Sequence, residues 1–320
     1  QLQAGAFPVL EKFLSRSQVS QFSGDYPHVL ACLLGLPCDQ QHDVPTAAMS
    51  AFSTIDEQEL MDNCWIQGFP VMLQPDRDRL VLHPASNDLY STPNLPRLEA
   101  LIHQVVEHFS PFFSDIQLTE ANGWLFKLQK EAKISTSPLI DSVGRNIDNL
   151  LPIGEEQPQW HSLMNEIQML FYSHNCEALG FNALWFEGVG RLPQKDKAKP
   201  DVAGLGTEQL LEAITACKGI RKFDSLDDFV PQAGNFSSLV SADLSVMRSI
   251  QSRSEQRWHE TMKELDSLLL QLRKLLVNGV ISSISLYPVN GTVYRINSKA
   301  GFLKFWKKPY PLAHWSDKNN

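Results

Sequence analysis

The sequence predicts an α/β fold, with a core sheet flanked by helices and interrupted by an inserted α+β domain. Apolar residues at helical spacing alternate along the chain with short apolar runs typical of strands, which indicates an α/β core. From residue 65 to about 128 the pattern becomes a hairpin, a helix and a strand, as in an α+β domain. We therefore expect a core of residues 1–64 and 175–320, and an insert of residues 65–174 that ends in a returning helix.

The first half of the chain predicts two helices, then a hairpin, a third helix and a strand. The second helix should end at Gly35, a C-cap residue, because Pro37 shortly after it cannot continue a helix. Pro70 weakens the prediction of the first hairpin strand, because proline has no N–H to donate to a neighbouring strand. The polar turn is expected at residues 74–77. Helices are expected at residues 7–14, 29–36 and 94–109, and strands at 65–73, 78–83 and 123–128.

The second half predicts further helices and strands around one irregular segment. Residues 194–206 are rich in Lys, Pro, Asp and Gly and indicate an exposed loop. Thr207 is expected to cap the next helix, Gly279 to end the longest one, and Asn290-Gly291 to form a hairpin turn. Helices are expected at residues 158–174, 208–217 and 254–277, and strands at 183–186, 280–287 and 293–296.

The most informative motif begins with the strand at residues 183–186. This apolar strand runs directly into Glu187-Gly-Val-Gly-Arg191. A strand that ends in a glycine turn often borders a ligand crevice in α/β proteins, and Glu187 and Arg191 would present both signs of charge there. The alternative is a tight connection in which the glycines meet a backbone requirement alone, and a single glycine pair favours that structural interpretation.

Charge and composition exclude several classes of partner. The net charge is -8 and the acidic residues are scattered, so the clustered Lys and Arg of a nucleic-acid interface are missing. No apolar run reaches the length of a membrane span. The five cysteines lack a Cys-x-x-Cys pair and suggest reduced thiols in a cytoplasmic protein. We expect a cytoplasmic protein whose partner is another protein or a small ligand, without nucleic acid or membrane.

Several segments together resemble one enzyme family. Three of them are similar to archaeal-type cofactor-independent phosphoglycerate mutases: Asn182-Ala-Leu-Trp-Phe-Glu-Gly-Val-Gly-Arg-Leu-Pro193, Ser142-Val-Gly-Arg-Asn-Ile-Asp-Asn-Leu-Leu-Pro-Ile-Gly154 and the helix at 160–174. Two further segments resemble helices of the same family: Phe7-Pro-Val-Leu-Glu-Lys-Phe-Leu14 and Leu30-Ala-Cys-Leu-Leu-Gly-Leu36. A bacterial group labelled phosphoglycerate mutase or regulatory protein, RPFE type, is more similar still: it shares Asp76-Arg-Asp-Arg-Leu-Val-Leu82, Asn165-Glu-Ile-Gln-Met-Leu170 and the ending Phe305-Trp-Lys-Lys-Pro309.

The resemblance implies an alkaline-phosphatase-like core with a serine nucleophile and two metal ions, but the matching positions differ. The nucleophile position holds Pro27, which has no hydroxyl to attack phosphorus. Asp243 lacks its histidine partner because position 247 is Met, and residues 283–287 hold neither carboxylate nor imidazole. Two-metal chemistry needs several such ligands. Checked residue by residue, this chain therefore carries over neither the catalytic serine nor the metal ligands of the family, and we expect no catalytic residue and no metal cofactor.

The leading hypothesis is a non-catalytic relative of these mutases with a regulatory or binding role. The alternative is an active metal-dependent phosphomutase or phosphatase that uses Mn, Mg or Zn, with a rebuilt site or with its first strand missing from the sequence. A purely structural partner in a complex is a third possibility. The sequence places candidate crevice residues on the motif and on the elements that lead into it: His28, Arg145, Asn165, Glu187 and Arg191. For Arg145 and Asn165, a structural role in joining insert and core is equally compatible with the sequence.

Overall fold

The computed structural model describes residues 5–37, 42–85, 87–91, 94–119, 123–194, 201–297 and 308–316. The chain forms two compact units. The larger unit comprises Asp25–Pro200 and Thr207–Lys222, and the smaller one comprises Gln1–Gly24, Asp201–Gly206 and Phe223–Asn320. Helices and strands are mixed and include a multi-stranded sheet, which agrees with the predicted α/β class at this coarse level.

The helices and strands are numbered in chain order. The helices are α1 Pro8–Arg16, α2 Tyr26–Leu33, α3 Thr46–Ser50, α4 Glu57–Asp62, α5 Leu95–His108, α6 Leu139–Ser142, α7 Gln157–Ser173, α8 Gln209–Lys218, α9 Leu226–Phe229, α10 Ser245–Gln251, α11 Glu255–Asn278 and α12 Ala313–Ser316. The strands are β1 Gln18–Gln21, β2 Trp65–Asp76, β3 Arg79–Pro84, β4 Phe113–Leu118, β5 Trp124–Leu128, β6 Ile134–Ser135, β7 Ile153–Gly154, β8 Ala183–Gly190, β9 Val202–Leu205, β10 Arg221–Phe223, β11 Ser238–Ser241, β12 Ile284–Leu286 and β13 Thr292–Ile296.

The larger unit is built on an antiparallel sheet centred on β2. One edge of β2 pairs with β8, and its other edge pairs first with β5 and then with β3. Pro70 lies between those two partners, because β5 pairs with residues up to Gly68 and β3 with residues from Val71 onward. The missing proline N–H therefore falls where the ladder changes partner. The predicted hairpin is present, with its turn at residues 77–78.

An aromatic core covers one face of this sheet. Its rings pack edge to face or tilted, with centroids between 4.3 and 6.4 Å apart. Helices α5 and α7 close the core with their apolar faces, which agrees with the helices predicted at 94–109 and 158–174. Its members are Phe112, Phe113, Trp124, Phe126, Trp160, Phe171, Phe181 and Phe186.

The smaller unit packs α1 and α11 over the antiparallel sheet β1-β13-β12. Asp266 on α11 caps α1, because its Oδ1 accepts from the N–H groups of Val9 at 2.9 Å and Leu10 at 2.7 Å. Helix α11 begins after the capping side chain of Ser254 and ends at Gly279, as predicted. In the same unit β9 and β11 pair in parallel.

Several sequence predictions differ from the structure in detail. The segment predicted as a loop at 194–206 contains β9, whose pairing with β11 the local sequence does not show; residues 195–200 lie outside the described part of the chain. Helix α8 is capped by Glu208, which accepts from the N–H of Leu211 at 2.9 Å, instead of by Thr207. The strand predicted at 280–287 is reduced to β12, the part that pairs with β13.

The predicted domain boundaries at 64/65 and 174/175 both fall inside the larger unit. Strand β2 follows the first boundary and β8 follows the second, and the two strands pair from Trp65↔Gly190 to Val71↔Ala183. The division into core and insert therefore does not coincide with the two units. In the described residues no helix is long and apolar enough to cross a bilayer.

The cysteines differ partly from the expectation of reduced thiols. Cys64, Cys176 and Cys217 are free and buried. Cys32 is disulfide-bonded, so the expectation is wrong for that residue. Cys38 lies outside the described residues.

Candidate functional site

The glycine motif continues β8 through an irregularity. Gln67 pairs with Glu187 and Trp65 pairs with Gly190, so β8 holds one residue more than β2 across this interval. Such a bulge redirects neighbouring side chains. Gly188 has φ 67°, and a Cβ there would lie 1.9 Å from Thr46 Oγ1. The glycine is therefore required by the backbone conformation and by the contact with α3. The predicted turn after Phe186 is instead a bulged strand end.

A narrow cleft lies beside this bulge, within the larger unit. Its volume is about 10 Å³, close to the space that a single water molecule needs. It is lined by Asp25, Pro27, His28, Asp43, Val44, Thr46, Thr136, Pro138, Glu187 and Gly188. In its present form the cleft is too small for a metabolite.

One wall of the cleft is a segment of residues 135–139, named the strap here. Glu187 accepts a hydrogen bond at Oε2 from the N–H of Leu139, the first residue of α6. The Gly188 N–H donates to Thr136 Oγ1 at 3.1 Å, and Trp185 Nε1 donates to the Ser137 carbonyl at 2.8 Å. Strand β8 therefore holds the strap along most of its length.

Asp43 holds the other end of the strap. Its Oδ1 accepts from Ser135 Oγ at 2.8 Å and from the Thr136 N–H at 3.0 Å. Thr136 Oγ1 donates to Asp43 Oδ2. Both carboxylate oxygens are thus occupied by groups of the chain.

His28 forms a second clamp, between α2 and the segment before α3. Its Nδ1 lies 2.6 Å from Asp25 Oδ1, and its Nε2 lies 2.9 Å from the carbonyl oxygen of His42. A carbonyl can only accept, so Nε2 carries a proton, and Nδ1 donates to the carboxylate. Asp25 also caps α2, accepting from the His28 N–H at 3.0 Å. Neither ring nitrogen is available to bind a metal or to accept a proton.

The pKa values of the cleft follow from these contacts. The hydrogen bond to Asp25 raises the pKa of His28 to about 9, which keeps the ring protonated at neutral pH. Burial, together with the nearby carboxylates of Asp43, Asp141 and Asp25, raises the pKa of Glu187 to about 7. Burial also raises the pKa values of Asp43 and Asp141. Glu187 therefore changes charge close to neutral pH.

Pro27 lies in this cleft, on the first turn of α2. A proline is tolerated there because the first-turn N–H groups have no helical acceptor. The position that the resemblance assigns to a nucleophilic serine thus faces Glu187 and His28 without a hydroxyl group.

The donor set does not fit a metal ion. Across the described part of the chain, no group of three or more His, Cys, Asp and Glu side chains is arranged to hold one. In the cleft, the nitrogens of His28 and the oxygens of Asp43 are already hydrogen-bonded to protein groups. Asp243, the late position named by the resemblance, accepts from the Ser245 N–H at 2.8 Å at the start of α10.

The structure brings together some of the sequence-predicted crevice residues. Glu187 and His28 line the cleft. Arg145 does not line the cleft: it is exposed, and its Nη1 donates to the Asp141 carbonyl at 3.1 Å. Arg191 is exposed instead, donating to the Asp62 carbonyl and lying 3.6 Å from Glu131. Asn165 is on the exposed face of α7.

Several residues in or beside the cleft were not predicted from the sequence. Asp43, Thr46, Thr136 and Asp141 come from segments more than forty residues from Glu187, so local spacing gives no sign of them. A local signal does exist for Asp25. An Asp followed two residues later by Pro and then by His is a helix N-cap pattern, which predicts a side-chain contact with the third residue.

Comparisons with known proteins add little to this site. No protein-family model matches the chain, and no curated protein matches it significantly. A cofactor-independent phosphoglycerate mutase from Thermoplasma acidophilum DSM 1728 is similar in structure, with TM-score 0.38 and 12% identity over 92% of this chain and 82% of that one. The PH0037 protein from Pyrococcus horikoshii has TM-score 0.45 and 9% identity over 91% of this chain and 79% of that one. These scores are below 0.5 and carry no weight for fold or function.

Proposed function

We propose that this chain is a non-catalytic relative of the cofactor-independent phosphoglycerate mutases that acts by binding a protein or a small ligand in a regulatory role. The proposal includes the finer fold expected from the resemblance, an alkaline-phosphatase-like core with an α+β insert. The observation that supports it is that Pro27 lies in a cleft where His28 and Asp43 are already hydrogen-bonded to other groups of the protein.

Polar groups that are already hydrogen-bonded within the protein argue against catalysis. A nucleophile, a general base and a metal ligand each need an atom that is free to meet the substrate or the ion. His28 and Asp43 use their ring nitrogens and carboxylate oxygens to hold α2 and the strap. Glu187 uses Oε2 for the Leu139 N–H. These groups stabilise the closed cleft.

One observation favours the alternative, an active phosphomutase or phosphatase with a rebuilt site. Asp25, Asp43 and Glu187 line one cleft, and Asp141 is near enough to affect the charge of Glu187. Carboxylates are the usual ligands of Mg²⁺ and Mn²⁺ in phosphoryl-transfer sites. The arrangement in the structure does not supply such a set among the described residues, so the alternative requires a rearranged cleft.

The experiment is a metal and turnover assay on the full purified chain. Metal content is measured after incubation with Mn²⁺, Mg²⁺ or Zn²⁺, and the interconversion of 2- and 3-phosphoglycerate is followed in each metal. We expect no stoichiometric metal and no turnover above a blank. The Pro27→Ser variant restores a hydroxyl and is expected to remain inactive, because the missing metal ligands limit the site as well.

Turnover by the wild-type chain that disappears in Asp43→Asn would establish the alternative and end the non-catalytic proposal. The binding role is tested separately, with a thermal-shift screen of phosphorylated metabolites and affinity capture followed by reconstitution with the purified partner. A negative result in both tests would refute the binding role, and the remaining hypothesis would be a purely structural partner in a complex.

A further inference from the structure

The turn between β12 and β13 carries an exposed Asn-Gly pair, Asn290-Gly291. The two strands pair antiparallel, and the pair lies in the loop that joins them. Gly291 has φ 83°, a conformation that favours glycine. An Asn followed by Gly is also a chemically reactive sequence, because the glycine nitrogen is not shielded by a side chain and can close a five-membered ring on the preceding amide carbon.

Two features of this turn favour that ring closure. Among the described residues the Gly291 N–H has no hydrogen-bond acceptor, and the space where a Cβ would lie is open, so the nitrogen is accessible. Asn290 Oδ1 accepts from the Thr292 N–H at 3.1 Å. This donor stabilises the negative charge that develops on Oδ1 when a nucleophile adds to Cγ. The reacting atoms belong to adjacent residues, so no second molecule has to be positioned for the attack.

A second Asn-Gly pair, Asn278-Gly279, is equally exposed but is held differently. Asn278 is the last residue of α11, and Gly279 is its C-cap. The Gly279 N–H donates to the Leu276 carbonyl at 3.2 Å. To attack Cγ of Asn278, this nitrogen must lose its proton and turn away from that carbonyl, so the end of α11 has to open first. The fold therefore protects this pair. The third pair of the sequence includes Asn122, which lies outside the described residues.

We propose that Asn290-Gly291 is a site of self-modification, at which Asn290 converts to isoaspartate and aspartate while Asn278 is preserved. The Gly291 nitrogen gives its proton to solvent and bonds to Asn290 Cγ. The Cγ–Nδ2 bond breaks, and Nδ2 leaves as ammonia after it takes up a proton. Water then adds to one of the two carbonyl carbons of the cyclic imide. Opening at the main-chain carbonyl gives isoaspartate, and opening at Cγ gives aspartate, without oxidation or reduction.

The modification acts on the pairing of β1 with β13. Gly291 accepts the Phe22 N–H at 3.0 Å, and Gln21 pairs with Thr292 at the start of β13. In isoaspartate the main chain runs through the side-chain carbon, which lengthens the turn and adds a negative charge. The register at this end of the ladder can then no longer be kept without strain. The inference goes beyond the proposed binding role and is independent of it.

The experiment is peptide mapping by mass spectrometry of the full chain, stored at neutral pH and physiological temperature. We expect deamidation at Asn290 to be at least about tenfold faster than at Asn278, because the end of α11 must open before Asn278 reacts. Isoaspartate in the peptide that contains position 290 is identified with an isoaspartyl carboxyl methyltransferase and a labelled methyl donor. In the chain unfolded by urea the two rates should agree within about threefold, because the hydrogen bond of Gly279 is then lost.

Asn290→Gln should remove the isoaspartate at this turn, because ring closure on a glutamine needs a larger ring. Asn278→Gln is the matched control and should leave the modification at Asn290 unchanged. Equal rates at the two pairs in the folded chain, or no isoaspartate at position 290, would overturn the proposal. A rate ratio that persists in urea would do the same, since the flanking sequences and not the fold would then set it. These measurements on the wild-type chain decide the proposal whether or not the variants fold.

Discussion

The two faces of β8 differ in the interactions that stabilise them. Phe186 points into the aromatic core, where its ring meets those of Phe126 and Trp160 at 5.6 and 5.5 Å. The next residue, Glu187, faces the cleft and bonds to the strap. The first face is stabilised by apolar burial, which requires only suitable size and shape. The second face carries Ala183 and Trp185 of a smaller apolar cluster, but at Glu187 it depends on hydrogen bonds and charges whose balance changes with pH.

The largest effect that tests this comparison is expected on the aromatic face. Trp160 is 2% exposed and contacts three rings of the core, so Trp160→Ala should lower the free energy of unfolding by about 3–5 kcal/mol. The measurement is urea unfolding. Tyr172→Ala, on the same helix but at a residue that is 74% exposed, is the control and should cost less than about 0.5 kcal/mol. Equal losses would contradict the assignment of the core.

A smaller loss is expected at the bulge between the two faces. Gly188→Ala requires a positive φ and places Cβ 1.9 Å from Thr46 Oγ1, so it should cost about 2–4 kcal/mol. Gly144→Ala has a similar φ of 77° but open space, and should cost only about 1 kcal/mol. Thermal or urea unfolding measures both. Thr46→Ala should recover part of the Gly188→Ala loss; no recovery would show that the close contact is not the cause.

The smallest effect concerns the pH dependence of the cleft face. The pKa of His28 is raised from 6.5 to about 9, so its stabilisation is complete below about pH 6.5 and disappears as the pH rises through 9. For Glu187 the same sign applies between about pH 4.5 and 7. His28→Gln should therefore cost about 1 kcal/mol at pH 6 and nearly nothing at pH 10. Urea unfolding of wild type and His28→Gln across this pH range checks the prediction. If the difference in free energy of unfolding does not change with pH, His28 contributes through packing and not through the ion pair.

The fold was predictable where the pattern is local. Helix α11 follows from its apolar stripe, its Ser254 cap and Gly279. Helices α5 and α7 follow from their apolar stripes, without a side-chain cap. Strand β9 was not predictable, because its four residues are held by pairing with β11 more than thirty residues away. The Thr207 prediction failed because α8 begins at Gln209, so that Glu208 occupies the N-cap position and accepts from the Leu211 N–H.

The candidate site was predictable in part. The glycine motif and the resemblance indicated Glu187, Pro27 and His28, and the structure places all three in one cleft. Arg191 was expected beside Glu187 because it follows the same turn. The bulge in β8 separates the two side chains, and Arg191 turns to the Asp62 carbonyl. A single extra residue in a strand redirects the side chains after it, and spacing alone does not show this change.

The sequence alone determined the apolar helices, the hairpin around β2 and β3, and the proline where the resembling family has its nucleophile. These features depend on residue type and short-range spacing, which a sequence states directly. Tertiary structure decided that Asp25, Asp43 and Asp141 approach Glu187, and that their hydrogen bonds close the cleft. The reason is physical: the pKa and the free bonding capacity of a side chain depend on its neighbours in space, and those neighbours come from segments far apart in the chain.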